Sequence, residues 1–317
     1  MTDRKNTILM IANPRAGRKR PNSYWNSMEK QFKRSKNDVI RWETTSYPKH
    51  AESLAFRASL DGVSTIIAVG GDGTIHEVVN GMMQNPENRS ILGWIPAGTA
   101  NDYAASFTCE SHGNETPSPT LVDIGILKWD EECRYFANVA GIGLSGSIAD
   151  RARSMKRLPA RIRYTLALLL QTGPHFGTRN FSLSVDHDRT LPCDTLMLSV
   201  AIGKREGSYP LHADANPSDG LFDWLHLGKL TRFELARHFP AMLRGNLPTN
   251  HPHVQRGRCT RLDISSSDPI AIHLDGESPN ESPCPTIRSL SIEIIPRAMS
   301  CLITRSLDPQ TAIPTRS

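Results

Sequence analysis

The stretch Thr65-Ile66-Ile67-Ala68-Val69-Gly70-Gly71-Asp72-Gly73-Thr74 decides the fold of this chain. Its first half is a β-branched apolar run, which predicts a buried strand, and a glycine turn follows at once. Apolar residues then recur with the period of a helix, at Ile75, Val78, Val79, Met82 and Met83. Such a strand, turn and helix present main-chain N–H groups to an anion, and glycine permits its close approach. The stretch therefore predicts an α/β domain with a phosphate site, and a tight turn without a ligand is the alternative.

Two further loops have the same setting. Asn13-Pro14-Arg15-Ala16-Gly17 follows the predicted strand Ile8–Ala12, and Pro96–Ala104 follows the predicted strand Leu92–Ile95. Because ligands of open parallel sheets bind at the carboxyl ends of strands, we expect the three loops to converge on one crevice. Asp72 carries a charge that repels a phosphate, so its place there is explained by a neighbouring Mg²⁺ or by an acid/base role.

The chain changes character near Lys128. Before it, short strands alternate with helical stretches such as Ala51–Leu60, which favours a parallel sheet flanked by helices. After it, short strands separated by turn residues indicate an antiparallel β-sandwich. The strands predicted there are 181–185, Leu196–Ile202, Leu221–Leu227, Ile270–Leu274 and Leu290–Ile295, and the helices are Ser145–Leu170, broken near Pro159, and Phe233–Arg244. We expect an α/β domain at 1–128, a β-sandwich domain at 129–300 and a tail at 301–317 that packs back on the first domain.

Composition limits the class of protein. The 317 residues are 38% hydrophobic with a net charge of +5, which is typical of a soluble globular protein. No apolar run is long enough to span a membrane, and the first residues lack a secretory leader, so we expect a cytoplasmic protein. The six scattered cysteines are expected to be free thiols. Basic and aromatic residues are not interleaved, so no nucleic acid partner is predicted.

Five motifs occur in order along the chain: Asn13-Pro14-x-x-Gly17, Gly70-Gly71-Asp72-Gly73-Thr74, Pro96-x-Gly98-Thr99-x-Asn101-Asp102-x-Ala104, Val122-Asp123-x-Gly125 and Asp275-Gly276-Glu277. Together they resemble the diacylglycerol kinase catalytic-domain family, which includes bacterial diacylglycerol kinases, YegS-type lipid kinases, sphingosine kinases and ceramide kinases. The resemblance runs from about residue 7 to residue 300. It implies ATP-dependent transfer of the γ-phosphate to a lipid hydroxyl, in a cleft between a Rossmann-like nucleotide domain and a β-sandwich domain.

The resemblance also implies roles for individual residues. Those expected to hold the nucleotide are Asn13, Thr45, Gly70, Gly71, Asp72, Gly73, Thr74, Thr99, Asn101 and Asp102, with Thr44 as an alternative to Thr45. Asp72 and Asp102 would hold Mg²⁺ and the phosphates. Asp275 and Glu277 would be the catalytic base and its partner, with Glu277 as the favoured proton acceptor. Asp72 remains a third catalytic candidate, and a solvated hairpin is the alternative for the acidic pair.

A second metal site is implied at the turn Asn216-Pro217-Ser218-Asp219-Gly220-Leu221. In some bacterial members of the family, two acidic side chains and a main-chain carbonyl bind a structural Mg²⁺ here. Asp219 and Leu221 match that pattern, whereas Asn216 replaces an aspartate, which weakens the site. A turn without a metal is the alternative. Asp123 and Arg18 would connect this site to the cleft, although lysine is common at the position of Arg18.

Basic charge is concentrated in two segments. Asp3–Arg20 and Asp150–Arg163 each hold six basic residues and one acidic residue, so the rest of the chain carries a net −5. The apolar run Leu166–Leu170 follows the second segment, and such a combination is typical of a surface that meets anionic headgroups. A solvated basic face is the alternative. We therefore expect a lipid substrate and peripheral contact with the inner face of the membrane, and the sequence leaves a homodimer open.

Two other functions compete with the lipid kinase. A soluble-substrate kinase such as an NAD kinase shares the Gly-Gly-Asp-Gly loop, but the motif at Pro96–Asp102 and the acidic pair argue against it. A lipid-binding regulator without catalysis is the other alternative, and the complete set of carboxylates argues against that. His251-Pro252-His253 is expected to be a surface loop rather than a metal site. His212 is expected to pack.

Overall fold

The computed structural model describes residues 7–17, 22–32, 39–107, 118–155, 158–171, 176–188, 191–242, 244–245, 247, 250–279 and 287–302. The chain divides into two compact units, Met1–Val122 with Ala298–Ser317, and Asp123–Arg297. This division lies six residues before the predicted boundary at 128. The predicted tail lies outside the described residues from 303 onward.

The first unit alternates strands and helices. Its elements are β1 (Thr7–Ala12), α1 (Asn22–Phe32), β2 (Val39–Thr44), α2 (His50–Leu60), β3 (Thr65–Gly70), α3 (Asp72–Met83), β4 (Ile91–Pro96) and α4 (Asp102–Ser106). The strands are parallel in the order β2-β1-β3-β4. Every residue of β3 is buried, as expected of a central strand covered on both faces. The four carboxyl ends therefore lie along one edge of the sheet, which is where the three predicted loops begin.

The second unit is mostly antiparallel. Its elements are β5 (Pro119–Trp129), β6 (Glu132–Phe136), β7 (Val139–Gly143), α5 (Leu144–Ser154), α6 (Ala160–Gln171), β8 (Arg179–Val185), β9 (Leu191–Thr195), β10 (Met197–Ala201), β11 (Phe222–Leu227), α7 (Arg232–Met242), β12 (Val254–Cys259), β13 (Arg261–Ser266), β14 (Ile272–Leu274) and β15 (Ser289–Leu302). Two of these strands, β5 and β15, continue into the first unit at their outer ends. One sheet has the order β12-β11-β10-β7-β14, and a second set of paired strands has the order β15-β13-β8-β9. The predicted class, an α/β part followed by antiparallel sheets, is confirmed.

Glycine explains why the sequence-based assignment omitted β7. β7 reads Val-Ala-Gly-Ile-Gly, and two glycines in five residues weaken a strand prediction. The structure nevertheless buries all five residues inside the five-stranded sheet, between β10 and the edge strand β14. The helix predicted over Ser145–Leu170 is two helices, α5 and α6, and Pro159 lies between them as expected. β15 is much longer than the predicted strand Leu290–Ile295.

The structure also bears on the expectations for the cysteines, for membrane-spanning helices and for the first basic segment. Four cysteines, Cys133, Cys193, Cys259 and Cys301, are free thiols, and the other two lie outside the described residues. No helix among the described residues is long and apolar enough to cross a membrane. Five of the six basic residues of the segment Asp3–Arg20 also lie outside the described residues, and Arg15 is the one within them.

Candidate active site

The glycine turn joins β3 to α3 through one residue, Gly71. Gly71 has an extended conformation, with φ of −97° and ψ of −174°, and its carbonyl accepts the Thr74 N–H at 2.9 Å. A Cβ on Gly70 would lie 2.4 Å from the Thr74 hydroxyl oxygen, so a side chain at this position would displace Thr74. Only glycine fits at position 70 without moving the Thr74 side chain. The N-terminus of α3 therefore begins directly at the carboxyl end of β3, where its N–H groups can meet an anion.

The structure brings the three predicted loops together. The Asn13 side-chain amide donates a hydrogen bond to the Thr74 hydroxyl at 3.0 Å. A Cβ on Gly98 would lie 2.5 Å from the Gly71 Cα, so the second and third loops touch through their main chains. Gly17 has a left-handed φ of 67°, and a Cβ there would lie 2.2 Å from the Ala97 carbonyl oxygen. Glycine thus allows three main chains to meet at one place, as the spacing of the motifs predicts.

Asp72 and Asp102 lie on neighbouring segments. One carboxylate oxygen of Asp72 accepts the Tyr103 N–H at 3.0 Å, and Tyr103 directly follows Asp102. Asp102 is buried at the start of α4, whereas Thr99 is exposed. Asn101 has a left-handed φ of 52°, and its side-chain oxygen accepts the Gly98 N–H at 3.0 Å. Asn101 is therefore a residue that shapes the loop.

Thr45 lies at the end of β2, next to the end of β1. Its N–H donates to the Ala12 carbonyl at 2.8 Å, and Ala12 precedes Asn13. The sequence did not reveal Glu77, whose two carboxylate oxygens each accept a main-chain N–H, from Lys49 and Ala51, at 3.1 Å. Glu77 thereby holds the start of α2 against α3, close to the Thr45 segment.

In the second unit, Asp275 and Gly276 form the two-residue turn of a β-hairpin. Leu274 and Glu277 exchange main-chain hydrogen bonds of 2.8 and 2.9 Å, and the two residues between them have φ values of 54° and 87°. Positive φ at both central residues is the type I′ geometry, for which Asp-Gly is a preferred pair. The turn therefore directs the chain from β14 so that Glu277 follows at a fixed position.

The two carboxylates of this turn have different surroundings. The Asp275 carboxylate accepts N–H groups from Ala137, Asn138 and Val139 at 3.1, 2.9 and 3.0 Å. Its lone pairs are thus directed at the main chain, which anchors the turn to the start of β7. Glu277 is half-buried, and its side chain has no hydrogen bond or ion pair within the described part of the chain. Of the two carboxylates, Glu277 is therefore the one whose oxygens no described protein group engages.

A buried polar network lies behind the turn. His273 Nδ1 accepts the Gly276 N–H at 3.1 Å, and His273 Nε2 lies 3.1 Å from Glu206 Oε1 and 2.9 Å from Ser145 Oγ. Ser145 also donates to Glu206, and Ser199 does so at 2.5 Å. Burial alone would raise the pKa of Glu206, but the hydrogen bonds from His273, Ser145 and Ser199 outweigh it and lower the pKa to about 2. The carboxylate is therefore ionised at neutral pH.

His212 continues this network, as a packed side chain. Its Nε2 lies 2.8 Å from the Ser199 hydroxyl, and burial lowers its pKa to about 4. The sequence singled out none of the residues that join His212 to the acidic turn. Ser199, Gly141 and His273 lie in register on three paired strands, and that register is known only from the structure.

In the predicted metal turn, the side chains of Asn216 and Asp219 bond other groups of the protein. Asn216 accepts the Ser218 N–H, and one oxygen of Asp219 accepts the Leu221 N–H, both at 3.2 Å. The other oxygen of Asp219 is paired with Arg258. Asp123 does connect to the turn, because its oxygens accept the N–H groups of Gly220 and Arg297 at 2.8 and 2.7 Å. Arg18 lies outside the described residues.

This donor set does not fit a divalent cation. It has one neutral amide, one main-chain carbonyl and one carboxylate whose charge is already balanced by a guanidinium, whereas Mg²⁺ prefers uncompensated oxygen ligands. Within the described residues, no group of three or more His, Cys, Asp and Glu side chains is arranged to hold a metal. Asp72 and Asp102 stay the predicted ligands of a Mg²⁺ that arrives with phosphates, since Mg²⁺ in such sites takes only one or two carboxylates.

Both parts of the chain match known protein families. Residues 7–126 match the diacylglycerol kinase catalytic domain, and residues 138–303 match the YegS C-terminal NAD kinase beta sandwich-like domain. A diacylglycerol kinase of Bacillus subtilis (strain 168) is 29% identical over 84% of this chain and 88% of its own length. A Chromohalobacter salexigens protein named "Probable lipid kinase YegS-like" is 31% identical over 71% of this chain and 73% of its own length.

A solved structure shows the same fold. The crystal structure of a diacylglycerol kinase from Bacillus anthracis str. Sterne has a TM-score of 0.67 at 17% identity, covering 95% of this chain and 98% of that one. At this level of identity the likeness concerns the fold alone. With both domain matches and the curated relatives, the chain belongs to the family of diacylglycerol kinases and YegS-like lipid kinases.

Proposed function

We propose that this protein is an ATP-dependent lipid kinase that transfers the γ-phosphate of ATP to a hydroxyl of diacylglycerol or a related lipid. Ceramide, a sphingosine-like base and monoacylglycerol are the related acceptors. The observation that carries the proposal is the position of the acidic turn beside a helix with an apolar outer face. A Cβ on Gly276 would lie 3.3 Å from the Tyr164 hydroxyl, so α6 contacts the turn that precedes Glu277.

The reaction needs one proton acceptor and a fixed nucleotide. The lipid hydroxyl oxygen attacks the γ-phosphorus, an O–P bond forms, and the bond from phosphorus to the β–γ bridging oxygen breaks to release ADP. Glu277 takes the hydroxyl proton, while Asp275 holds the turn through its three main-chain hydrogen bonds. The loops around Gly70–Thr74, Asn13 and Thr99 hold the phosphates. Mg²⁺ would enter with ATP at Asp72 and Asp102 and neutralise phosphate charge.

The outer face of α6 suits a lipid surface. Ile162, Leu166, Leu169 and Leu170 are 56%, 37%, 63% and 48% exposed, and they recur at the spacing of one helix face. The opposite face packs into the core through Ala167 and Leu168. Arg151 of α5 is exposed nearby in sequence and adds positive charge, which favours anionic headgroups. We place this contact at the inner face of the membrane, where ATP is available.

A single assay tests the activity. The protein is incubated with labelled ATP, Mg²⁺ and mixed micelles of diacylglycerol, ceramide, sphingosine or monoacylglycerol, and in a parallel arm with NAD. We expect labelled lipid in at least one micelle arm, and its loss in Asp72→Ala. Labelled product only with NAD would instead make the protein a soluble-substrate kinase. Vesicle binding without any product would make it a lipid-binding regulator.

A second measurement tests the membrane surface. Sedimentation with vesicles that contain phosphatidylglycerol should show weaker binding by the double variant Leu169→Asp/Leu170→Asp, by about tenfold or more, because each lost leucine removes apolar area from the contact. Leu60→Asp is the matched control, since Leu60 is 60% exposed on α2 of the first unit. Equal vesicle binding by the two variants would show that α6 does not contact the membrane.

A further inference from the structure

The buried network behind the acidic turn is built on three adjacent strands of the five-stranded sheet, β10, β7 and β14. Ser199 on β10 and His273 on β14 both pair with Gly141 on β7, so the three residues form one row across the sheet. A Cβ on Gly141 would lie 2.2 Å from His273 Nε2 and 2.4 Å from Ser145 Oγ. The missing side chain at Gly141 is therefore what allows His273 to reach across β7 toward Ser145 and Glu206.

The directions of the hydrogen bonds follow from their partners. Gly276 can only donate its N–H, so His273 Nδ1 must carry a lone pair, and the ring proton lies on Nε2. Nε2–H then donates toward Glu206 and Ser145, at 3.1 and 2.9 Å. The ionised Glu206 accepts from three donors and fixes this tautomer. A chain of hydrogen bonds thus runs from Glu206 through the imidazole to the main chain of Gly276.

The network and Asp275 hold the two central residues of the turn independently. The Asp275 carboxylate is tied to the start of β7, and the Gly276 N–H is tied to His273. Both residues have positive φ, which for Asp275 is a costly conformation that the surrounding structure must maintain. Glu277 is the next residue, so its backbone position is set by both ties.

We propose that His273 and Glu206 are positioning residues for the candidate proton acceptor Glu277, acting through the Gly276 N–H. This inference rests on the proposed lipid kinase function, but the tie between His273 and the turn stands on geometry alone. His273, Ser145 and Glu206 do not form a hydrolytic triad, because the ring nitrogen facing Ser145 also faces Glu206 and the other nitrogen is taken by Gly276.

Two substitutions of His273 test the hydrogen bonds of its two ring nitrogens separately. His273→Asn keeps an acceptor near Nδ1 for the Gly276 N–H and loses the donor to Glu206. His273→Gln keeps a donor near Nε2 and loses the acceptor. If the tie to Gly276 positions Glu277, His273→Gln should speed hydrogen exchange of the Gly276 amide by about tenfold, and His273→Asn should restore slow exchange. Mass spectrometry of the peptide that covers the turn measures this.

Kinetics supply the second readout. We expect kcat to fall by between about tenfold and a hundredfold in His273→Gln, with the KM for ATP unchanged, because the nucleotide loops belong to the other unit. Glu206→Gln should act in the same direction, and His273→Asn should recover most of the kcat. His226→Gln is the matched control, since His226 is another buried histidine of the same sheet that contacts Thr195 at 3.0 Å and not the turn.

The outcomes separate the two proposals. A wild-type protein without lipid-dependent turnover defeats the proposed function, and the exchange experiment still decides whether His273 holds the turn. Equal exchange and equal kcat in His273→Gln and His273→Asn would overturn the positioning role. The same result follows if His226→Gln lowers kcat as strongly as His273→Gln, because the effect would then report a general loss of packing.

Discussion

Asp275 and Glu277 are two carboxylates of one turn, and the structure gives them different partners. Glu277→Gln removes a proton acceptor and no described hydrogen bond, so we expect kcat to fall by about a hundredfold or more at unchanged free energy of unfolding. Asp275→Asn places an amide NH₂ among three main-chain N–H donors, so we expect the free energy of unfolding to fall by about 1–3 kcal/mol. Urea denaturation and initial rates measure the two quantities. Near-normal turnover of Glu277→Gln would show that another group accepts the proton of the lipid hydroxyl.

At the scale of an element, the turn at Asn216–Leu221 has an arginine where the family's metal site is implied. Arg258 lies opposite Asp223 on the β11–β12 pair and bonds Asp219. Burial raises the pKa of Asp223, and the Arg258 charge opposes that rise. One guanidinium therefore balances acidic side chains that would otherwise attract a cation.

This arrangement predicts how the turn responds to Mg²⁺. Millimolar Mg²⁺ without nucleotide should leave the Tm of the wild-type protein unchanged relative to a salt control of equal ionic strength. The double variant Asn216→Asp/Arg258→Gln restores an acid and frees Asp219, so its Tm should rise with Mg²⁺. Differential scanning calorimetry checks both. A Mg²⁺-dependent rise in the wild-type protein would show that Arg258 does not exclude the ion.

The nucleotide-side elements could be predicted from the sequence because their signals are local. β3, the glycine turn and α3 are contiguous, and the glycines mark where main chains meet. The buried network could not be predicted in this way, since Glu206 lies 67 residues from His273 and 128 residues separate Ser145 from His273. Such pairs become visible only when the strand register is known. The fit of Arg258 to Asp219 depends on the same kind of distant pairing.

At the scale of the whole molecule, the buried network couples folding to pH. Burial keeps His212 neutral in the folded protein, with a pKa of about 4 against an ordinary value of 6.5. The unfolded chain therefore takes up this proton first, and stability falls as the pH drops from about 6.5 to about 4, by on the order of 3 kcal/mol. Glu206, with its pKa lowered from 4.5 to about 2, adds a further loss below pH 4.5.

Denaturation by urea at a series of pH values tests this coupling. His212→Gln keeps a donor for the Ser199 hydroxyl and removes the titrating ring, so its free energy of unfolding should vary less than that of the wild-type protein between pH 6.5 and 4. His253→Gln is the control, because His253 is an exposed histidine outside the buried network. Parallel pH profiles for the wild-type protein and His212→Gln would mean that His212 is protonated equally in both states. The acid sensitivity would then have to come from carboxylates outside the network.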